Sequence, residues 1–434
     1  MSIRQKFTYY PNGRLKTEKY YKGKLLHLED EPALRRWHKD GHLIREEYYF
    51  NGVLHREDGP ATLSYDRDGN LTKVCFYSNN QLEREDGPAI QMFYKDGTHK
   101  EERYYRFGGL HYNAGPTIRQ WHPNGQIKCE KYLYTKENSY FSDYCNLYIT
   151  NTFSRYHNIE GPAHQEWFED GRPKKIVYYV NGQLHCEEEP ARREWHKNGT
   201  VKTIIYAQRD VLHHTTIPAH QEWFEDGHSK LDRWMLYGNE RRYETNVPAV
   251  TAWYENHQIE RIIYHRGSRR LHREDGPAIE RWYSDGTKKE ETYKINGYYH
   301  RVGAPAHQEW HDNGKRHVEA WYINGRTSHA TAIPYQYWDK DGNLLAIEEV
   351  NGEMKIVTSR YDNLTMKQKC SYKARLNCKC TDLTKCTHYI HYMYHNEDGP
   401  AIQRWDEDGN LTESKWLLNG KNIESMTKAC KSFC

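Results

Sequence analysis

The chain has 434 residues, 36% hydrophobic and 28% charged, with a mean hydropathy of -1.09. Such polarity suits disorder, yet 37 Tyr, 13 Trp and 10 Phe supply buriable surface that disordered chains lack, so the chain folds around a thin aromatic core. A formal charge of +3 excludes a global attraction to nucleic acid or anionic lipid, and no run of about 18 apolar residues is available for a spanning helix.

The opening stretch Met1-Ser2-Ile3-Arg4-Gln5-Lys6-Phe7 lacks the apolar segment of a secretory signal, and ten Cys in so long a chain suit reduced thiols. An intracellular, cytoplasmic location is expected. Residues 4–31 then introduce a phase, set by Tyr9, Asn12-Gly13, Tyr20 and Gly23, that recurs down the chain. Twelve of the 15 Pro mark its later copies: Pro32, Pro60, Pro88, Pro116, Pro162, Pro190, Pro218, Pro248, Pro277, Pro305, Pro334 and Pro400. Nine of the eleven spacings are 28 to 30 residues, and the other two, 46 and 66, locate insertions. The expected organisation is a repeat array over 1–133, an insertion over 134–155, more array over 156–354, a basic Cys/His-rich insertion over 355–391, a last copy over 392–421 and a tail over 422–434.

Each copy has the same parts in order. The residue after the Pro is Ala in ten of twelve copies, and five after the Pro stands an aromatic, Trp in nine, as at Trp37, Trp121, Trp282 and Trp405. Asp-Gly or Asn-Gly follows, as at Asp40-Gly41 and Asp285-Gly286, then a second aromatic 16 after the Pro, as at Tyr48, Phe76 and Tyr264, and often another Asn-Gly, as at Asn51-Gly52 and Asn296-Gly297. Asp-Gly and Asn-Gly between short runs rich in aromatic and β-branched residues predict strand, tight turn, strand, tight turn, short strand, because both central residues of a type I′ turn need φ > 0. A two-residue first turn sets position +5 after the Pro opposite +12, and the small +1 residue opposite the large +16 one. The linking phrase Leu-His-Arg-Glu-Asp-Gly-Pro-Ala, complete at 54–61 and 271–278, reads as a corner, with Gly free in φ and Pro fixed in it. The fold class is therefore all-β: an elongated repeat array of stacked β-hairpins, about 13 copies of 28–30 residues, forming a twisted single sheet or solenoid.

In phrases such as Tyr9-Tyr10-Pro11-Asn12-Gly13-Arg14-Leu15-Lys16 and Tyr293-Lys294-Ile295-Asn296-Gly297 the copies resemble MORN repeats, in particular the YwqK-like variant. The Arg-Glu-Asp-Gly-Pro-Ala corners resemble the subtype abundant in proteins of large nucleocytoplasmic DNA viruses. The resemblance covers nearly the whole chain outside the insertions and the tail. It implies stacked hairpins, a scaffolding or protein-contact role, sometimes contact with membrane lipid, and no shared catalysis.

Ten His stand five residues before the Pro: His27, His55, His111, His157, His185, His213, His272, His300, His329 and His395. Such a ladder could sense pH or hold metal, but a group needed once per copy reads as structural, here as the cap of its own turn. The same reasoning covers the paired carboxylates Glu57-Asp58, Glu85-Asp86, Glu274-Asp275 and Glu397-Asp398. No phosphate loop, HExxH, GxSxG or dinucleotide fingerprint is present in the sequence. The expected function is a non-enzymatic structural or protein-interaction scaffold, as a component of a virus particle or other assembly. The alternatives are an antitoxin-like inhibitor that occludes one enzyme and a lipid-surface platform.

The second insertion differs from the array. Cys370, Cys378, Cys380, Cys386, His388 and His391 fall within 22 residues, a set able to hold tetrahedral zinc, although free thiols in a loop or a Cys378–Cys386 disulfide fit the same residues. Between 355 and 386 eight cations face two carboxylates, a net +6 that leaves -3 for the rest of the chain. Lys367, Lys369, Lys373, Arg375, Lys379 and Lys385 are the expected contact residues for an acidic protein surface or a phosphate backbone, and partner choice is placed there rather than in the repeats.

Overall fold

The computed structural model describes residues 2–111, 114–142, 147–240, 247–267, 270–327, 334–351, 354–360, 365–376, 390–394, 396, 399–418 and 421–422, with backbone alone for 135–142, 147–153, 327, 350–351, 372–376, 390–393 and 421–422. All regular structure in these residues is β. No helix among them is long and apolar enough to cross a membrane.

Each copy contributes a four-residue and a five-residue strand to an antiparallel meander, for example Leu34–Trp37 and Leu43–Glu47. Within this copy Leu34 pairs with Glu47, Arg35 with Glu46 and Arg36 with Arg45; the second strand then pairs onward, Arg45 with Ser64, Glu46 with Leu63 and Glu47 with Thr62. The predicted register thus holds along the strands and fails at the Trp, which faces position +11: Trp37 pairs with Leu43 across a bulge. The cause is the first turn. It is a three-residue loop in which Gly41 N–H donates to His38 O and His38 N–H to His42 O, with Gly41 left-handed at φ 101° and no positive φ at Asp40. One extra residue in the loop forces the bulge. The second turn is of the predicted type I′, with Asn51 at φ 48° and Gly52 at φ 85°, and it closes a miniature hairpin in which Tyr49 pairs with Leu54 and Phe50 with Val53.

The chain leaves the sheet at position +16. Tyr48 N–H donates not to its own hairpin but to Ala61 O of the next copy at 2.8 Å, and Phe76 does the same to Ala89. This contact brings backbones close enough that the +1 side chain must be small. Ala33, Ala61, Ala89, Ala163, Ala191, Ala219, Ala249, Ala278, Ala306 and Ala401 all have no exposed surface. Thr117 stands in for Ala before the first insertion, where its hydroxyl donates to Lys131 O and accepts Leu133 N–H, so the added oxygen is satisfied.

The chain divides into two compact units, Met1–His213 with Glu222–Gly227 and His214–Gln221 with His228–Cys434. The meander runs through each. In the first, the 134–155 insertion is a longer version of the miniature hairpin: strands Leu133–Ser142 and Leu147–Tyr156 pair from Leu133 with Tyr156 to Ser142 with Leu147. In the second, Leu231, Val250, Ala252 and Ile263 form an apolar cluster. The second insertion is there not a free loop at its start. Met354–Arg360 pairs with Leu344–Asn351 and with Met366–Leu376, and the latter pairs with Ile402–Trp405 of the last copy. In Met366-Lys367-Gln368-Lys369-Cys370 exposed Lys alternate with half-buried and buried residues, the pattern of a half-buried strand, which the Lys content obscured.

Candidate functional site

The recurrent polar residues tie copies together. In four of the His series, Nδ1 accepts a backbone N–H from the type I′ turn that follows: Asn51 onto His27, Asn181 onto His157 and Asn296 onto His272, each at 3.0 Å, and Asn324 onto His300 at 3.2 Å, whereas Nδ1 of His55 and of His185 is buried without such a bond. The donor lies 24 residues on, so the His holds the next hairpin instead of capping its own turn. Nε2 faces Glu29 at 3.7 Å from His27, and that of His272 lies 3.4 Å from Glu274 and 3.3 Å from the Arg266 guanidinium. His329 and His395 lie outside the described residues.

At the corner, the Arg four residues before the Pro folds inward. Arg56, Arg84, Arg273 and Arg301 stack on Tyr48, Phe76, Tyr264 and Tyr293 at 3.8–4.1 Å from the ring centroids, and each donates to the carbonyl of the corner Pro. The corner Gly serves this stacking rather than an unusual φ. Gly59, Gly87 and Gly276 are not left-handed, but a Cβ there would sit 3.2, 3.1 and 2.7 Å from the Arg Cζ. The carboxylates beside them remain in water: the side chains of Glu57, Glu85 and Glu274 are 86%, 77% and 64% exposed.

At the opposite end of the strands, the residue six after the Pro donates to the carbonyl of the next copy's aromatic. Tyr94 reaches Trp121 O, Tyr283 reaches Trp310 O, and His122, His196 and His311 use Nε2 at 3.0 Å on Trp167, Trp223 and Trp338. In other copies an Asp stands at this position and accepts amides of its own loop, as Asp66 does from Asp68 and Asn70, and one loop carries a different arrangement again. His38, Asp40 and His42 turn towards one another, their ligand atoms all within 4.8 Å. His38 Nδ1 lies 2.9 Å from Asp40 Oδ1, His42 Nδ1 meets the same oxygen, and the two imidazoles stack at 4.9 Å. Desolvation works against ionisation of Asp40, but the His38 and His42 rings outweigh it and hold its carboxyl down at about 2. Sequence reasoning missed this triad, although His-x-Asp-x-His across one loop was its visible signal.

The predicted metal and basic sites are placed only in part. Lys367 and Lys369 lie two apart on the sheet strand Met366–Leu376. Lys373 and Arg375 continue it, their backbones pairing with Met393 and His391. Cys370 is in the same strand, fully buried opposite Val357 and Ile402, with Gln368 Nε2 donating to its sulfur. Cys378, Lys379, Cys380, Lys385, Cys386 and His388, and the side chain of His391, lie outside what the structure describes. Elsewhere, a groove of about 790 Å³ between Gln120 and Trp167 is floored by Cys129, whose thiol burial pushes up to about 11.

No protein-family model matches the chain, and no curated protein matches it. Among solved structures, the crystal structure of TcdB2-TccC3-TEV aligns over 98% of this chain at 10% identity and a TM-score of 0.12. The chain spans about a quarter of the length of that structure, 24%.

Proposed function

We propose that the chain is a non-catalytic repeat scaffold whose corner edge engages basic surfaces of partner proteins. The observation that carries this reading is the division of charge at the Arg-Glu-Asp-Gly-Pro corners, 56–60, 84–88 and 273–277. The Arg of the Arg-Glu-Asp-Gly-Pro phrase is drawn onto an aromatic ring and the Pro carbonyl, while the Glu beside it stands in solvent, as at Arg56 and Glu57 or Arg84 and Glu85. With two sheet strands per copy at ~4.8 Å, the carboxylates of consecutive acidic corners such as Glu57-Asp58 and Glu85-Asp86 stand ~10 Å apart, a spacing at which weak contacts to one extended partner add. The resemblance to repeats of large DNA viruses adds a virus particle to the assemblies that such a scaffold would serve. Lys367 and Lys369, held on a sheet strand, offer a second surface of opposite sign.

Affinity capture from the native source with wild-type protein and with E57Q/D58N/E85Q/D86N tests the reading. Basic partners recovered in an assembly or particle fraction, and released by the variant or by raised salt, are expected. Recovery of one stoichiometric enzyme indifferent to the variant would support an inhibitor instead, and pelleting with anionic liposomes a lipid platform. Either result overturns the proposal.

A further inference from the structure

We propose that His38, Asp40 and His42 form a binding site for a divalent transition cation of the zinc, nickel and copper group. Two imidazoles and a carboxylate converge from a single loop of five residues, closed by the bonds from His38 N–H to His42 O and from Gly41 N–H to His38 O. Donors bound at about 2.0–2.2 Å around a tetrahedral centre lie roughly 3–3.5 Å from one another. The 2.9 Å between His38 Nδ1 and Asp40 Oδ1 is near that separation. Both atoms are shielded from water and make no well-directed hydrogen bond, while His42 Nδ1 meets the same oxygen still more closely and would have to move outwards to share an ion with it. Two imidazole nitrogens and one carboxylate oxygen gathered within 4.8 Å of one another form a donor set that one cation could share.

The surroundings hold this arrangement. Arg67 Nε pairs with Asp40 Oδ2 at 3.3 Å, which leaves Oδ1 turned to the rings, and the Arg14 guanidinium donates to the Asp40 backbone carbonyl. Partners outside the ligand set that orient a carboxylate are the usual support of a metal site. Two imidazole nitrogens and one carboxylate disfavour Mg²⁺ or Ca²⁺, which need several anionic or carbonyl oxygens, and leave imidazole affinity to decide the cation.

A structural role would recur, and this one does not. His122, His196 and His311 occupy the place of His38 in their own copies and tie to the following Trp carbonyl, but His38 makes no such bond to Tyr65 among the described residues. Position +10, filled by His42 here, is Gln126, Thr200 and Lys315 in those copies, so the triad is assembled once.

Full-length protein stripped with a chelator and dialysed against Co²⁺ provides the test, because thiolate-bound Co²⁺ shows a charge-transfer band that imidazole- and carboxylate-bound Co²⁺ lacks. The wild type is expected to hold one Co²⁺ without that band, displaceable by Zn²⁺ and not by Mg²⁺. H38A/H42A and, more conservatively, H42Q should lose that equivalent, while H196A keeps it and the metal-free variants melt as the wild type does. Equal binding by H38A/H42A, or cobalt bound solely with the thiolate band, would overturn the proposal.

Discussion

The Nδ1 atom of His272 accepts the backbone N–H of Asn296 at 3.0 Å, and His272 is only 3% exposed. A side chain at one corner therefore completes the turn of the hairpin after it, where Asn296 sits at φ 51° with its amide directed away from the strands. Removing the ring leaves that amide without its acceptor. H272A is expected to destabilise the protein by about 1–3 kcal/mol, read as a lower urea midpoint. An unchanged midpoint would show that water replaces the imidazole without loss.

The corner Gly and Arg form a coupled pair. A Cβ on Gly276 would meet Arg273 Cζ at 2.7 Å, and Arg273 is held by Tyr264 and the Pro277 carbonyl. G276A should cost about 1 kcal/mol or more in the wild type and much less beside R273A, a coupling of roughly 0.5–1 kcal/mol in a double-mutant cycle. Gly69 behaves differently. It is left-handed at φ 87° with open space around it, so G69A should cost about 1–2 kcal/mol through its backbone alone, with no coupling to any Arg.

Phe107 occupies the first central position of a type I′ turn at φ 50° and is 67% exposed, with Arg106 5.5 Å from its ring centroid. An aromatic gains little from burial there and bears the strain of left-handed backbone. F107N, which restores the residue found at Asn51 and Asn296, should stabilise by about 0.5–1 kcal/mol, seen as a raised Tm. A lowered Tm would mean that the ring contacts outweigh the turn.

Glu166 gives the array part of its acid sensitivity. His164 beside it, 3.0 Å away, lowers its carboxyl from the ordinary 4.5 to about 2, burial opposes the shift, and Lys174 at 3.1 Å adds to it. The folded value lies below the unfolded one, so this contribution is present above about pH 4.5 and is lost as pH falls towards 2. E166Q should flatten the acid limb of stability in that window and leave the neutral limb parallel to wild type. Urea midpoints from pH 2 to 7 for both proteins decide it.

What the sequence by itself determined is the unit and its period. Pro spacing, Asp-Gly and Asn-Gly pairs and aromatic phase specify two strands, two turns and a corner, since each rests on local backbone chemistry: φ fixed by Pro, φ > 0 accepted by Gly and Asn, and alternation in a strand. The small residue at +1 was visible too, as the Ala in ten of twelve copies. Choices between local options of nearly equal energy were left to the tertiary structure. Asp40-Gly41 and Asn51-Gly52 look alike as dipeptides, yet the first closes a three-residue loop with a bulge at Trp37 and the second a two-residue turn whose amide His27 accepts. The corner Gly looked like a hinge in φ and is instead clearance for an Arg that arrives through its own stacking on Tyr48 or Tyr264. The basic insertion read as a loop because its cations masked a strand pattern, which is fixed only once Met354–Arg360 and Met366–Leu376 find neighbours in the sheet. His38, Asp40 and His42 show the same limit. Their spacing was in the sequence, but only a loop of that one shape brings two imidazoles onto one carboxylate oxygen, because convergence depends on side-chain direction and not on order along the chain.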